Sequence, residues 1–109
     1  MNTTSSQSPS VPTIILQQLG GKRFILMTGA RHISGDGNTL SFSLPSNFAK
    51  DGINLIKITL EPSDTYKVEF LKLGRAPSYK MTTVYETDDI YADSLQELFT
   101  RHTGLNTHL

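Results

Sequence analysis

Residues 53–73 constrain this chain more than any other segment. Two runs rich in β-branched and apolar residues, 53–60 and 65–73, flank Pro62-Ser63-Asp64. Side chains alternate along a strand, so a slip of one residue in a hairpin moves every apolar group to the opposite face. A three-residue loop sets Leu60 opposite Tyr66, Ile58 opposite Val68 and Ile56 opposite Phe70. On the other face it sets Lys57 opposite Glu69, a favourable cross-strand pair. A two-residue loop would set Leu60 against Lys67 and Ile58 against Glu69. The three-residue loop is the consistent choice, with Asp64 in the left-handed conformation that Asp tolerates.

The flanking sequence extends this hairpin into a sheet. Ser10 as N-cap, Pro12 in the first turn and Gly20-Gly21 as a stop predict a short helix, with Val11, Ile14, Ile15 and Leu19 facing the core. Residues 23–33 read as a strand interrupted at Gly29. Asp36-Gly37 reads as a two-residue turn pairing Gly35 with Asn38, Ile33 with Leu40 and Arg31 with Phe42. Leu40, Phe42 and Leu44 alternate with Ser41 and Ser43, which gives that strand one wet face. Residues 45–52 are a loop with a helical turn near Phe48, 74–78 a turn, and 79–85 a fifth strand. A final helix is expected from Asp88 to Gly104. Tyr91, Leu95, Leu98, Phe99 and His102 share its apolar face, and Gly104-Leu105 ends it.

The expected fold is α+β: a five-stranded antiparallel meander sheet packed by a C-terminal helix, with a short N-terminal helix. The chain has 109 residues, enough for one self-sufficient core. Residues 1–9 read as a disordered polar tail and 10–109 as a single domain. Ile53, Leu55, Leu71 and Leu73 fall on the face opposite Ile56, Ile58, Val68 and Phe70. That second set calls for its own cover, from the N-terminal helix or from a second subunit in a homodimer.

The chain has no cysteine, which excludes disulfides, thiolate metal sites and a cysteine nucleophile. No apolar run is long enough to span a membrane, and the N-terminus lacks the pattern of a signal peptide. Cytoplasmic localisation is therefore expected. No catalytic set can be assembled. His32 reads as a surface strand histidine beside Asp36, His102 as a packed helix residue, and His108 as part of the tail. Gly20-Gly21-Lys22 and Gly35-Asp36-Gly37 lack the spacing of a phosphate loop. No cofactor and no metal site is expected.

Ten basic and ten acidic residues cancel, but they are segregated. Glu86, Asp89, Asp93 and Glu97 suggest an acidic stripe on the last helix, suited to a protein partner. Lys67, Lys72, Arg75 and Lys80, with Tyr79 and Tyr85 nearby, suggest a basic sheet face with aromatic platforms, as used to hold single-stranded nucleic acid. Lys22, Arg23 and Arg31 form a second basic group.

The runs Gln18-Leu19-Gly20-Gly21-Lys22-Arg23-Phe24, Met27-Thr28-Gly29-Ala30, Tyr91-Ala92-Asp93-Ser94-Leu95-Gln96-Glu97-Leu98-Phe99-Thr100 and Thr103-Gly104-Leu105 carry a resemblance. The chain resembles small uncharacterised proteins of bacteriophages and bacterial mobile elements over about residues 14–109. The resemblance implies an intracellular, phage-linked role in the host cytoplasm and carries over no catalytic residue. The topology also resembles single-strand-binding coactivator and whirly-type domains, which bears on fold alone. Together these readings predict a non-enzymatic binding module of phage or mobile-element origin. It would act through a protein partner at Glu86, Asp89, Asp93 and Glu97. The alternative is a single-stranded nucleic-acid-binding protein using Lys67, Lys72, Arg75, Tyr79 and Lys80.

Overall fold

A computed structural model describes residues 10–45 and 48–107. The segment expected to be a polar tail, and His108, lie outside the described residues. In chain order the elements are α1 (Val11–Leu19), α2 (Lys22–Thr28), β1 (Arg31–Asp36), β2 (Thr39–Ser43), β3 (Leu55–Leu60), β4 (Tyr66–Leu73), β5 (Met81–Ile90) and α3 (Leu95–Thr103). Single 3-10 turns lie at Lys50–Gly52 and Ala92–Ser94. The strands make one antiparallel sheet in the order β1-β2-β3-β4-β5, the meander expected of an α+β chain.

The β3–β4 hairpin follows its sequence to the residue. Leu60 pairs with Tyr66, Ile58 with Val68, Ile56 with Phe70 and Lys57 with Glu69. Asp64 closes the loop at φ 67°. Helix α1 also starts and stops as expected. Ser10 is its N-cap, and the Gly21 N–H returns to the Leu16 carbonyl at 2.9 Å. Ile15 and Leu19 are fully buried, and Val11 and Leu16 pack against the core in part; Leu16 takes the place expected for Ile14.

Three expectations change. Residues 22–28 are a helix, α2, rather than the first part of a strand. Phe24 and Thr28, one turn apart, are buried, while Leu26 between them is 82% exposed. The Thr28 Oγ1 donates to the Phe24 carbonyl at 2.7 Å and accepts from the Ala30 N–H at 3.2 Å. Gly29 then ends the helix at φ 74°. The first hairpin turns on Gly37-Asn38, not Asp36-Gly37, so Asp36 pairs with Thr39, Gly35 with Leu40 and Arg31 with Ser43. Gly37 takes φ 60° at the first central position, where positive φ favours glycine. Strand β5 runs on to Ile90, well past Tyr85, and α3 starts only at Leu95. Ile90 pairs with Tyr66 and packs against the core, which keeps residues 86–90 in the strand.

Both long helices cover one face of the sheet. Phe24, Phe42 and Phe99 meet at its centre, with ring centroids 5.3 Å (Phe24–Phe42) and 5.1 Å (Phe24–Phe99) apart. The Tyr66 hydroxyl donates to Gln18 Oε1 at 2.7 Å and Gln96 Nε2 donates to the Gln18 carbonyl at 3.0 Å, tying β4, α1 and α3 together. Burial raises the Tyr66 pKa, and the bond to Gln18 offsets part of that. The opposite face carries Thr39, Ser41, Ser43, Lys57, Thr59, Lys67 and Glu69, all half-buried. The N-terminal helix does not cover this second face. Ile53 joins the main core, Leu71 is buried, and Leu73 stays 38% exposed.

Candidate binding surface

The expected acidic stripe does not form. Glu86 and Asp89 lie on β5, Asp93 in the 3-10 turn before α3, and Glu97 on α3 itself. Glu97 pairs with Arg101 at 2.8 Å, one helical turn on. Glu86 lies 3.6 Å from Lys67, so one member of the acidic set engages one member of the basic set. Asp89 sits at φ 58° beside a register shift in β5. A bulge and charges of this kind discourage a further strand from pairing with an edge. The other edge strand, β1, is guarded in the same way. His32 lies in its irregular stretch at φ 54°.

The basic set divides. Lys67 is on the open sheet face, where Lys57, Lys67, Glu69 and Glu86 balance one another in charge. Tyr85 faces the helices and stacks on His102 with ring centroids 4.0 Å apart, so it is no platform beside Lys67. Burial, then the charges of Arg101 and Lys50, lowers the His102 pKa below the usual histidine value.

Lys72, Arg75, Tyr79 and Lys80 do come together, around the β4–β5 connection. The Gly74 N–H donates to the Lys80 carbonyl at 2.8 Å and the Tyr79 N–H to the Arg75 carbonyl at 3.1 Å, which closes the tip. Tyr79 is 58% exposed. Leu73 and Met81 form the last rung before the tip, and both are exposed. The Lys72 side chain lies along Gly52, where an added Cβ would fall 3.1 Å from its Cε.

Meander topology makes this tip part of something larger. Successive turns alternate between the two ends of the sheet. One end holds the β1–β2 turn, the β3–β4 loop and the end of β5, and among the described residues it carries Asp36, Glu61, Asp64, Asp88 and Asp89 against Lys67, which lies opposite the Asp88–Asp89 irregularity. The other holds the start of β1 and the β2–β3 and β4–β5 connections, with Arg31, Lys50, Lys72, Arg75 and Lys80 against Asp51 alone. Exposed Phe48 lies in the β2–β3 connection, so it joins Leu73, Tyr79 and Met81 at the basic end. A chain of zero net charge is thus polarised along its strands. Sequence reading found the tip because its residues are neighbours in the chain. Topology places Arg31, Phe48 and Lys50 at the same end of the sheet, and the signal that would have added them is the alternation of turns in a meander.

Other chemistry is sparse. His32 Nδ1 lies 2.9 Å from Ser43 Oγ rather than near Asp36, and that hydroxyl also donates to the Arg31 carbonyl at 3.1 Å. Among the described residues no group of three or more His, Asp or Glu side chains converges as metal ligands. No helix among them is long and apolar enough to cross a membrane. An open groove of about 660 Å³ lies beside α3, with the paired Glu97 and Arg101 on its wall. No family model, curated protein or solved structure matches the chain.

Proposed function

We propose that this chain is a non-enzymatic binding module that acts through a protein partner, with the basic end of the sheet as its contact surface. The observation that carries the reading is the coincidence at that end of five cations with four exposed large apolar side chains, Phe48, Leu73, Tyr79 and Met81. Protein interfaces are enriched in aromatic residues, Met and Arg, with charges at the rim. The complementary surface on the partner is apolar with acidic flanks. The resemblance to phage and mobile-element proteins supports seeking that partner in the bacterial cytoplasm.

A second reading, single-stranded nucleic acid on the same surface, is favoured by Tyr79, exposed between Arg75 and Lys80, as a stacking platform. The balanced charge of the open sheet face tells against a broader nucleic-acid site.

The test uses the wild-type chain, a Lys72→Glu/Arg75→Glu/Lys80→Glu variant and a Glu86→Lys/Asp89→Lys variant as baits. Captured proteins are identified by mass spectrometry, and single-stranded oligonucleotide binding is followed by fluorescence anisotropy at low and physiological salt. The proposal expects one protein retained by the wild type and the acidic-end variant and weakened about tenfold or more in the basic-end variant. Equal retention by both variants overturns it. Salt-sensitive oligonucleotide binding lost in the basic-end variant replaces it with the second reading.

A further inference from the structure

Beside the basic end, on the open face, lies a groove of about 320 Å³ walled by Arg31, His32, Pro45, Asn54, Leu55 and Leu73. Its polar groups can be counted. The Asn54 side chain holds the backbone of Leu73, accepting from its N–H at 2.8 Å and donating to its carbonyl at 3.1 Å, which leaves it a second N–H. The Ser43 hydroxyl sends its one proton to the Arg31 carbonyl, so the neighbouring His32 Nδ1 is the donor in their 2.9 Å contact. In the neutral ring that leaves Nε2 as a free acceptor. The Arg31 guanidinium pairs with no carboxylate among the described residues. The Arg31 guanidinium, His32 Nε2 and the second Asn54 N–H are therefore the side-chain groups left for a ligand beside an apolar wall.

The backbone at His32 points the same way. A non-glycine residue at φ 54° is uncommon and strained. Bulges of this sort re-aim a side chain, and here the imidazole is held across the ladder against Ser43, at the groove wall.

We infer that this groove is a subsite for the C-terminal residue of an extended chain: Arg31 takes the terminal carboxylate, His32 Nε2 accepts the last backbone N–H, and Pro45, Leu55 and Leu73 receive an apolar side chain. The inference rests on the protein-partner reading and supplies one chemical feature of the partner, a free apolar C-terminus. Capture of a terminal carboxylate is a recurrent mode of peptide recognition. It suits a surface whose two sheet edges are both guarded against strand addition.

The probe is N-acetyl-leucine, titrated at constant ionic strength into the isotope-labelled full chain and followed by amide NMR shifts. N-acetyl-leucinamide, which lacks the carboxylate, and N-acetyl-aspartic acid α-amide, which carries it on a side chain, are the controls. The expected result is saturable shifts at Arg31, His32, Ser43 and Leu73 with N-acetyl-leucine and little response to either control. Arg31→Gln should weaken binding about tenfold, the scale of one charge-assisted pair. His32→Gly relieves the backbone and removes the acceptor, so it should weaken binding while leaving thermal stability unchanged or higher. Equal binding of N-acetyl-leucinamide, stronger binding of the aspartic acid α-amide, or an unaltered affinity in His32→Gly overturns the assignment. The titration contains no partner, so loss of N-acetyl-leucine binding with partner capture intact overturns the groove alone, and loss of partner capture with the titration intact overturns the protein-partner reading alone.

Discussion

Helices α2 and α3 end in the same way and were read from sequence in opposite ways. Each closes with Phe, three residues, then Thr-Gly: Phe24 to Gly29 and Phe99 to Gly104. In both, the threonine hydroxyl donates to the phenylalanine carbonyl at 2.7 Å and accepts the N–H two residues on at 3.2 Å. Gly29 and Gly104 stand at φ 74° and 77°. The two phenylalanines touch, at 67° between ring planes. The outer faces differ. α3 turns the Glu97–Arg101 pair to solvent, whereas α2 exposes Leu26. The cap and one buried ring make the shared architecture, and the outer face made only one of the two helices recognisable.

If the two endings are equivalent, Phe24→Ala and Phe99→Ala should be equally severe. Each ring is buried, and truncation of such a residue costs about 3–5 kcal/mol. The double variant should lose less or more than the sum by about 0.5–3 kcal/mol, because the rings share a contact. Urea unfolding of the four chains measures all three quantities. A loss below about 1 kcal/mol for Phe24→Ala alone would break the equivalence and show α2 as an appendage of the core.

A smaller effect sharpens the difference. The residue before the terminal threonine is Met27 in α2 and His102 in α3. The native environment disfavours the charged imidazole of His102, chiefly by burial. Its native pKa lies below the unfolded value of about 6.5, so the unfolded chain binds the proton first as pH falls. The stability linked to this ring is therefore full above that pH and is lost on acidification through it toward the lower native pKa. His102→Met, which copies α2, should flatten the fall in urea midpoint between about pH 7.5 and about pH 5.5. An identical pH slope in both chains would remove His102 as a source of acid sensitivity.

The same contrast explains what was legible. The β3–β4 register was decided by two faces with opposite demands, apolar pairs on one and Lys57–Glu69 on the other. The start of α1 and the end of α3 rested on cap residues with few alternative uses. The α2 segment offers Phe24-Ile25-Leu26-Met27, four apolar residues in a row, which erases the period that separates helix from strand. Gly37 is flanked by Asp36 and Asn38, and either dipeptide makes a turn. The acids at 86–89 suit a helix N-terminus as well as a guarded sheet edge. Only Ile90 docking against the core chooses between them, and that contact is remote in sequence. The candidate surface was partly visible for the same reason: its tip is local, and its other members depend on the meander.

The smallest predicted effect is the sharpest test of α2. As a strand, residues 23–33 would place Leu26 on the same face as Phe24, and a polar residue there would cost several kcal/mol, as burying an unpaired polar group does. As a helix, Leu26 lies 82% exposed on the outer side. Leu26→Gln should then change stability by no more than about 0.5 kcal/mol, the usual range for surface substitutions. Set beside Phe24→Ala, two residues away, a near-zero Leu26→Gln is a pattern that a strand excludes. Comparable losses at both positions would restore the strand, dissolve the match between α2 and α3, and leave the Thr28-Gly29 ending without its carbonyl partner.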